Sequence, residues 1–127
     1  MKKVYKDKNS EAALINLYDK QLAKINVDFE DLYVETRFGS SHVIKTGNMT
    51  GKPILLFHGG NSTAPYYLAG FKNLLKQFCI YAVDTIGHPG KSAQTVLSAK
   101  SMDYGLWASD VITSLGFKKI CCVGGSY

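Results

Sequence analysis

The sequence predicts an α/β protein, a three-layer sandwich with a mainly parallel sheet and an N-terminal antiparallel hairpin. Three observations carry that prediction. An early segment alternates apolar and polar residues around a turn, three later segments are short unbroken apolar runs, and stretches with helical periodicity separate those runs.

Between Ser10 and Ile25, Leu14, Leu17, Tyr18, Leu22 and Ile25 recur at helical spacing, with Ser10 as the expected N-cap and Glu11 in the first turn. This reads as an amphipathic arm helix, so residues 1–28 form an N-terminal arm and residues 29–127 the main body. Leu32, Val34, Thr36 and Phe38 then alternate with Tyr33, Glu35 and Arg37, the period of a strand with one buried face. Gly39, Ser40 and Ser41 supply a turn, and residues 43–46 a returning strand.

The pattern changes at Pro53. Ile54, Leu55, Leu56 and Phe57 form a continuous apolar run, expected where helices cover both faces of a parallel strand. A polar, glycine-containing loop over 58–63 follows, and Pro65 opens a predicted helix whose Leu68, Phe71, Leu74, Leu75 and Phe78 share a face. The run 79–83 is a second buried strand ending at Asp84. After a loop to about 101 comes a helix with Tyr104, Trp107, Ala108, Val111 and Leu115 on one side, stopped by Gly116. The run 119–123 is a third buried strand, and Gly124, Gly125, Ser126 and Tyr127 follow it.

With 127 residues, 46% hydrophobic and 20% charged, the chain has the composition of one ordered domain. Its net charge of +5 gathers partly in Lys2, Lys3, Lys6 and Lys8, which read as a solvated basic tail rather than a nucleic-acid or anionic-membrane patch. The other lysines are dispersed, without the aromatic-interleaved basic block of a nucleic-acid binder. No apolar run approaches the roughly 18 residues a membrane helix needs. Three cysteines, two of them adjacent, cannot form a full disulfide framework, so a cytoplasmic setting is expected. As strand neighbours, Cys121 and Cys122 should point to opposite faces as small buried hydrophobes. No Cys/His spacing suggests a metal, and no cofactor is expected.

In open α/β sheets ligands bind at the carboxyl ends of the strands. Three segments lie there: His58-Gly59-Gly60-Asn61, the loop from Asp84 to Ser92, and Gly124-Gly125-Ser126-Tyr127. In this order and spacing they resemble the α/β-hydrolase family, including its esterase-like and proline-iminopeptidase-like branches, from Leu32 to Tyr127. Gly124 and Ser126 match the first two fixed positions of G-x-S-x-G, in which glycine lets the backbone take the sharp strand-to-helix turn that lifts the nucleophile clear of the sheet. The third position falls after Tyr127.

The resemblance implies a serine hydrolase acting on a small-molecule ester, amide or related acyl bond, with Ser126 as nucleophile. It implies that the backbone N–H groups of Gly60 and Tyr127 hold the oxyanion, with Asn61 as a further donor to substrate. His58 would brace the oxyanion loop rather than act as base, since the family's acid and His come later in the chain. His88 would be structural too, in a loop resembling Asp-x-x-Gly-x-Gly-x-Ser with one extra residue between the glycines. His42, remote from these motifs, is expected at the surface.

Two other readings stay open. Gly87-His88-Pro89-Gly90-Lys91-Ser92 ends like a phosphate-binding loop, but Thr85 stands where G-x-x-x-x-G-K-[ST] needs glycine, and no strong helix follows. Alternatively the chain is the N-terminal half of a hydrolase, inactive without a partner or the missing half. A serine without a base is a poor nucleophile, and strand 119–123 would be an exposed apolar edge open to self-association.

Overall fold

The computed structural model describes residues 7–58, 62–98 and 101–124. Helix α1 spans Lys8–Ile25; β1 is Phe29–Thr36, β2 Gly39–Gly47 and β3 Lys52–Phe57. Helix α2 (Ala64–Ala69) and a 3-10 turn (Lys72–Leu74) lead into β4, Phe78–Val83. Helix α3 (Asp103–Ser114) precedes β5, Cys121–Gly124.

The five strands form one sheet in the order β1-β2-β4-β3-β5. The pairs β1·β2 and β2·β4 are antiparallel, whereas β3·β4 and β3·β5 are parallel. The sheet is therefore mixed, its parallel character confined to the three strands that carry the unbroken apolar runs. Those runs are apolar throughout because both faces are covered. Ile44, Leu56, Ile80 and Ala82 face α1 and α2, packing with Tyr18, Leu22, Ile25 and Leu68. Val43, Leu55 and Val83 face the other way, onto Trp107 and Val111 of α3. These are the three expected layers.

Local chemistry moves several boundaries. The cap of α1 is Asp7, not Ser10: its carboxylate accepts the Ser10 N–H at 2.7 Å. The helix ends on Asn26, in the left-handed region at φ 54°. The predicted helix from Pro65 to Phe78 stops at Ala69, because the chain tightens into 3-10 geometry and then feeds β4 from Phe78. Thr63 caps α2, and Pro65 sits in its first turn as expected.

The last strand departs most from expectation. β5 begins at Cys121 rather than Lys119 and lies at the sheet edge, bonded only to β3 among the described strands. Cys121 and Cys122 are exposed rather than buried, because no strand lies beyond them among the described residues.

Candidate functional site

Ser126, Tyr127, Gly60 and Asn61 all lie outside the described residues. The residues leading into their segments do not. Phe57 and Gly124 are register partners on the parallel pair β3·β5. The glycine segment after β3 and the Gly-Ser segment after β5 therefore start from adjacent strands at the same level of the sheet. His58, the first residue beyond β3, is buried, and its Nε2 accepts the Thr85 backbone N–H at 3.0 Å. That bond ties His58, just beyond β3, to the loop after β4, a structural use of its ring.

The loop from Asp84 to Ser92 closes on itself around Asp84. Ser92 Oγ donates to the Asp84 carbonyl at 2.7 Å and accepts the His42 N–H at 2.8 Å. The Lys91 N–H donates to Asp84 Oδ2 at 2.9 Å. Gly87 makes the path possible: its φ is +74°, and a Cβ there would meet the Thr95 carbonyl oxygen at 2.5 Å. The geometry argues against phosphate binding. The Lys91 N–H is spent on Asp84, Lys91 Nζ pairs with Asp19 at 2.7 Å, and residues 93–98 form no helix. Among the described residues no group of three or more His, Cys, Asp or Glu side chains could hold a metal ion, and no helix is long and apolar enough to cross a membrane.

His42 is not at the surface. It is fully buried in β2, with Nδ1 2.8 Å from Asp84 Oδ2 and Nε2 2.6 Å from Asp31 Oδ1. Tyr18 of α1 donates its hydroxyl to the same Asp84 carboxylate, 2.8 Å from Oδ1 and 2.9 Å from Oδ2. Burial opposes charge on the imidazole, but the hydrogen bonds and charges of Asp84 and then Asp31 outweigh it, so the His42 pKa is raised above the usual 6.5. Burial, followed by the Asp84 charge, pushes the Tyr18 hydroxyl far up, so it stays protonated and donates. Strand periodicity contained the signal for His42: it is two residues before Ile44 and four before Thr46, both buried, and so shares their face. Its distance in sequence from the glycine motifs hid it. Tyr18 was visible as a core position, but its polar partner was not.

A groove of about 450 Å³ is walled by Leu14 and Leu17 of α1, Thr63 and Tyr66 at the start of α2, and Pro89. Ser62, Thr63 and Pro89 in its lining come from the segments that follow β3 and β4 in the chain.

Comparison with known proteins places this arrangement. No family model matches the chain. Carboxylesterase YbfK of Bacillus subtilis is 34% identical over 101 residues, 80% of this chain and 34% of that protein. The crystal structure of carboxylesterase CesB (YbfK) from the same organism aligns with a TM-score of 0.79 at 31% identity, over 91% of this chain and 41% of that one. The chain belongs to the α/β-hydrolase superfamily. The crystal structure of naproxen esterase (carboxylesterase NP) from Bacillus subtilis aligns with a TM-score of 0.76 at 28% identity, over 93% of this chain and 41% of that one. The chain spans about a third of the length of the curated carboxylesterases it matches.

Proposed function

We propose that the protein containing this chain hydrolyses a carboxylic ester, amide or related acyl bond through an acyl-enzyme on Ser126. The observation that carries this reading is the register match of Phe57 with Gly124, with His58 tied to Thr85. Phe57 and Gly124, the last described residues before the Gly59-Gly60 and Gly125-Ser126-Tyr127 positions apart from His58, stand at the carboxyl ends of neighbouring parallel strands, which supports a nucleophile and oxyanion donors following them. The carboxylesterases among the relatives support the ester as substrate class.

In this mechanism Ser126 Oγ attacks the acyl carbon while a histidine base takes its proton. The Gly60 and Tyr127 N–H groups hold the oxyanion, with Asn61 donating to substrate. The alcohol or amine leaves with the proton returned by the base, and water then releases the acid from the acyl-serine. Each oxyanion donor contributes about 3 kcal/mol to the transition state. The groove between α1 and α2 would take an apolar arm of the substrate.

The base is none of the three histidines here. Both nitrogens of His42 face carboxylates, His58 Nε2 already accepts from Thr85, and His88 Nε2 lies 3.4 Å from the Tyr104 hydroxyl. The reading therefore requires the acid and the base from polypeptide outside these 127 residues. The 127-residue chain by itself is expected to show no Ser126-dependent turnover of activated esters.

A fluorophosphonate probe is expected to label Ser126 in the protein containing this chain. Ser126→Ala should abolish the label and lower kcat by about 10³-fold or more. Labelling at another residue, or turnover unchanged by Ser126→Ala, would overturn the assignment.

A further inference from the structure

The buried cluster on the β2/β4 side has no part in the proposed chemistry, yet it joins four separate segments of the chain. Asp84 lies just beyond β4, His42 is in β2, Asp31 in β1 and Tyr18 in α1. Both ring nitrogens of His42 stand at hydrogen-bonding distance from carboxylate oxygens. An ionised carboxylate only accepts hydrogen bonds, and a neutral imidazole carries one N–H. Only the imidazolium donates to both, whereas the neutral ring would aim a lone pair at one carboxylate.

We propose that His42 is a buried imidazolium that pins α1 to the sheet, a proton-operated latch in which Asp84 and Asp31 hold the cation and Asp84 in turn receives the Tyr18 hydroxyl of the arm helix. With the proton on His42, the Asp84 carboxylate is neutralised inside the fold and can accept from His42, Tyr18 and the Lys91 N–H together. When the proton leaves, the carboxylate stays buried as an uncompensated charge with only neutral donors, and it regains hydration only when α1 lifts away from it.

Other charged and titratable groups face the cluster from each neighbouring element. Tyr33 of β1 is the cross-strand partner of His42, with ring centroids 5.0 Å apart. Lys91 lies with Nζ 5.1 Å from the centre of the Tyr18 ring and pairs with Asp19 of α1. That cation stands on the α1 side of the cluster, and its pairing with Asp19 is a second strap across the same gap.

The sign of the pH dependence follows from the raised pKa of His42. The stabilisation is complete below about 6.5, the unfolded value, and is lost as pH rises through the higher folded value. Loosening begins in the N-terminal part of α1, up to Tyr18, because Leu22 and Ile25 still bury its last turns. Leu14 and Leu17 lie on the part that loosens, so the groove loses a wall. That last consequence rests on the esterase reading, whereas the latch itself does not.

Nitrogen-15 NMR of the full chain tests the latch without any turnover. At pH 7 both ring nitrogens of His42 should show protonated-type shifts, and raising the pH through the transition should speed hydrogen exchange of α1 amides near Tyr18, after correction for intrinsic rates. The expected acceleration is about tenfold, the loss of one hydrogen bond to a charged group, while β2 and β4 amides change little. Asp31→Asn removes one carboxylate from the exposed side of the cluster, where the Asp31 side chain is 46% accessible, so the fold is retained. It should lower the His42 titration midpoint and release α1 at lower pH. A neutral His42 ring at pH 7, or α1 protection that ignores both pH and Asp31→Asn, would overturn the proposal.

Discussion

The two sides of this sheet solve opposite problems. On the β2/β4 side three carboxyl, imidazole and phenol groups are buried and satisfy one another, and α1 is laid over them. On the other side β5 ends the sheet with Cys121 and Cys122 exposed, and the candidate nucleophile follows a few residues later. Among the described residues no buried side-chain nitrogen or oxygen lacks a hydrogen-bond partner. The difference teaches where the stability of this fold resides: polar groups are committed where helices seal the sheet, and the proposed nucleophile follows in sequence the strand left at the edge of the described sheet.

The largest effect should come from the sealed side. Asp84→Asn keeps the shape of the side chain but removes the charge that His42 faces from a fully buried position. Breaking a buried pair in this way costs about 3 to 5 kcal/mol, readable as a fall in the urea midpoint. A change within error would mean that His42 is neutral and the cluster carries no net pairing.

A smaller loss is expected at Gly87. Gly87→Ala forces an L side chain into φ +74° and drives its Cβ against the Thr95 carbonyl, so roughly 2 kcal/mol should be lost. The His58–Thr85 bond should weaken with it, since Thr85 is in the same loop. Wild-type stability in this variant would show that the loop has an alternative path.

The open side should tolerate change. In the 127-residue chain Cys121→Ser is expected to alter stability by less than about 0.5 kcal/mol, because the side chain is exposed at the sheet edge. A large loss would show that β5 is covered in solution, and analytical ultracentrifugation would then test whether a second copy covers it.

Much of this was legible in the residues themselves. The apolar runs before Phe57 and Val83 mark central strands because only strands covered on both faces lose their alternation. The hairpin is legible in the alternation from Leu32 to Phe38. The ends of elements were less so. Ser10 and Asp7 are both good caps, and only the local geometry chooses between them. The apolar residues Phe71 to Phe78 fit a helix as well as a tight turn feeding a strand.

What the sequence alone determined was therefore the order of elements, the two-faced core and the glycine-rich segments at the strand ends, since each is written in short-range periodicity or turn chemistry. What only the tertiary structure decided was the company of His42. Its partners Tyr18, Asp31 and Asp84 are 24, 11 and 42 residues away, brought together by β1·β2 and β2·β4 pairing and by the docking of α1. Local patterns report which face a residue turns inward. Which charges meet there depends on strand order, and strand order is set by the packing of the whole sheet.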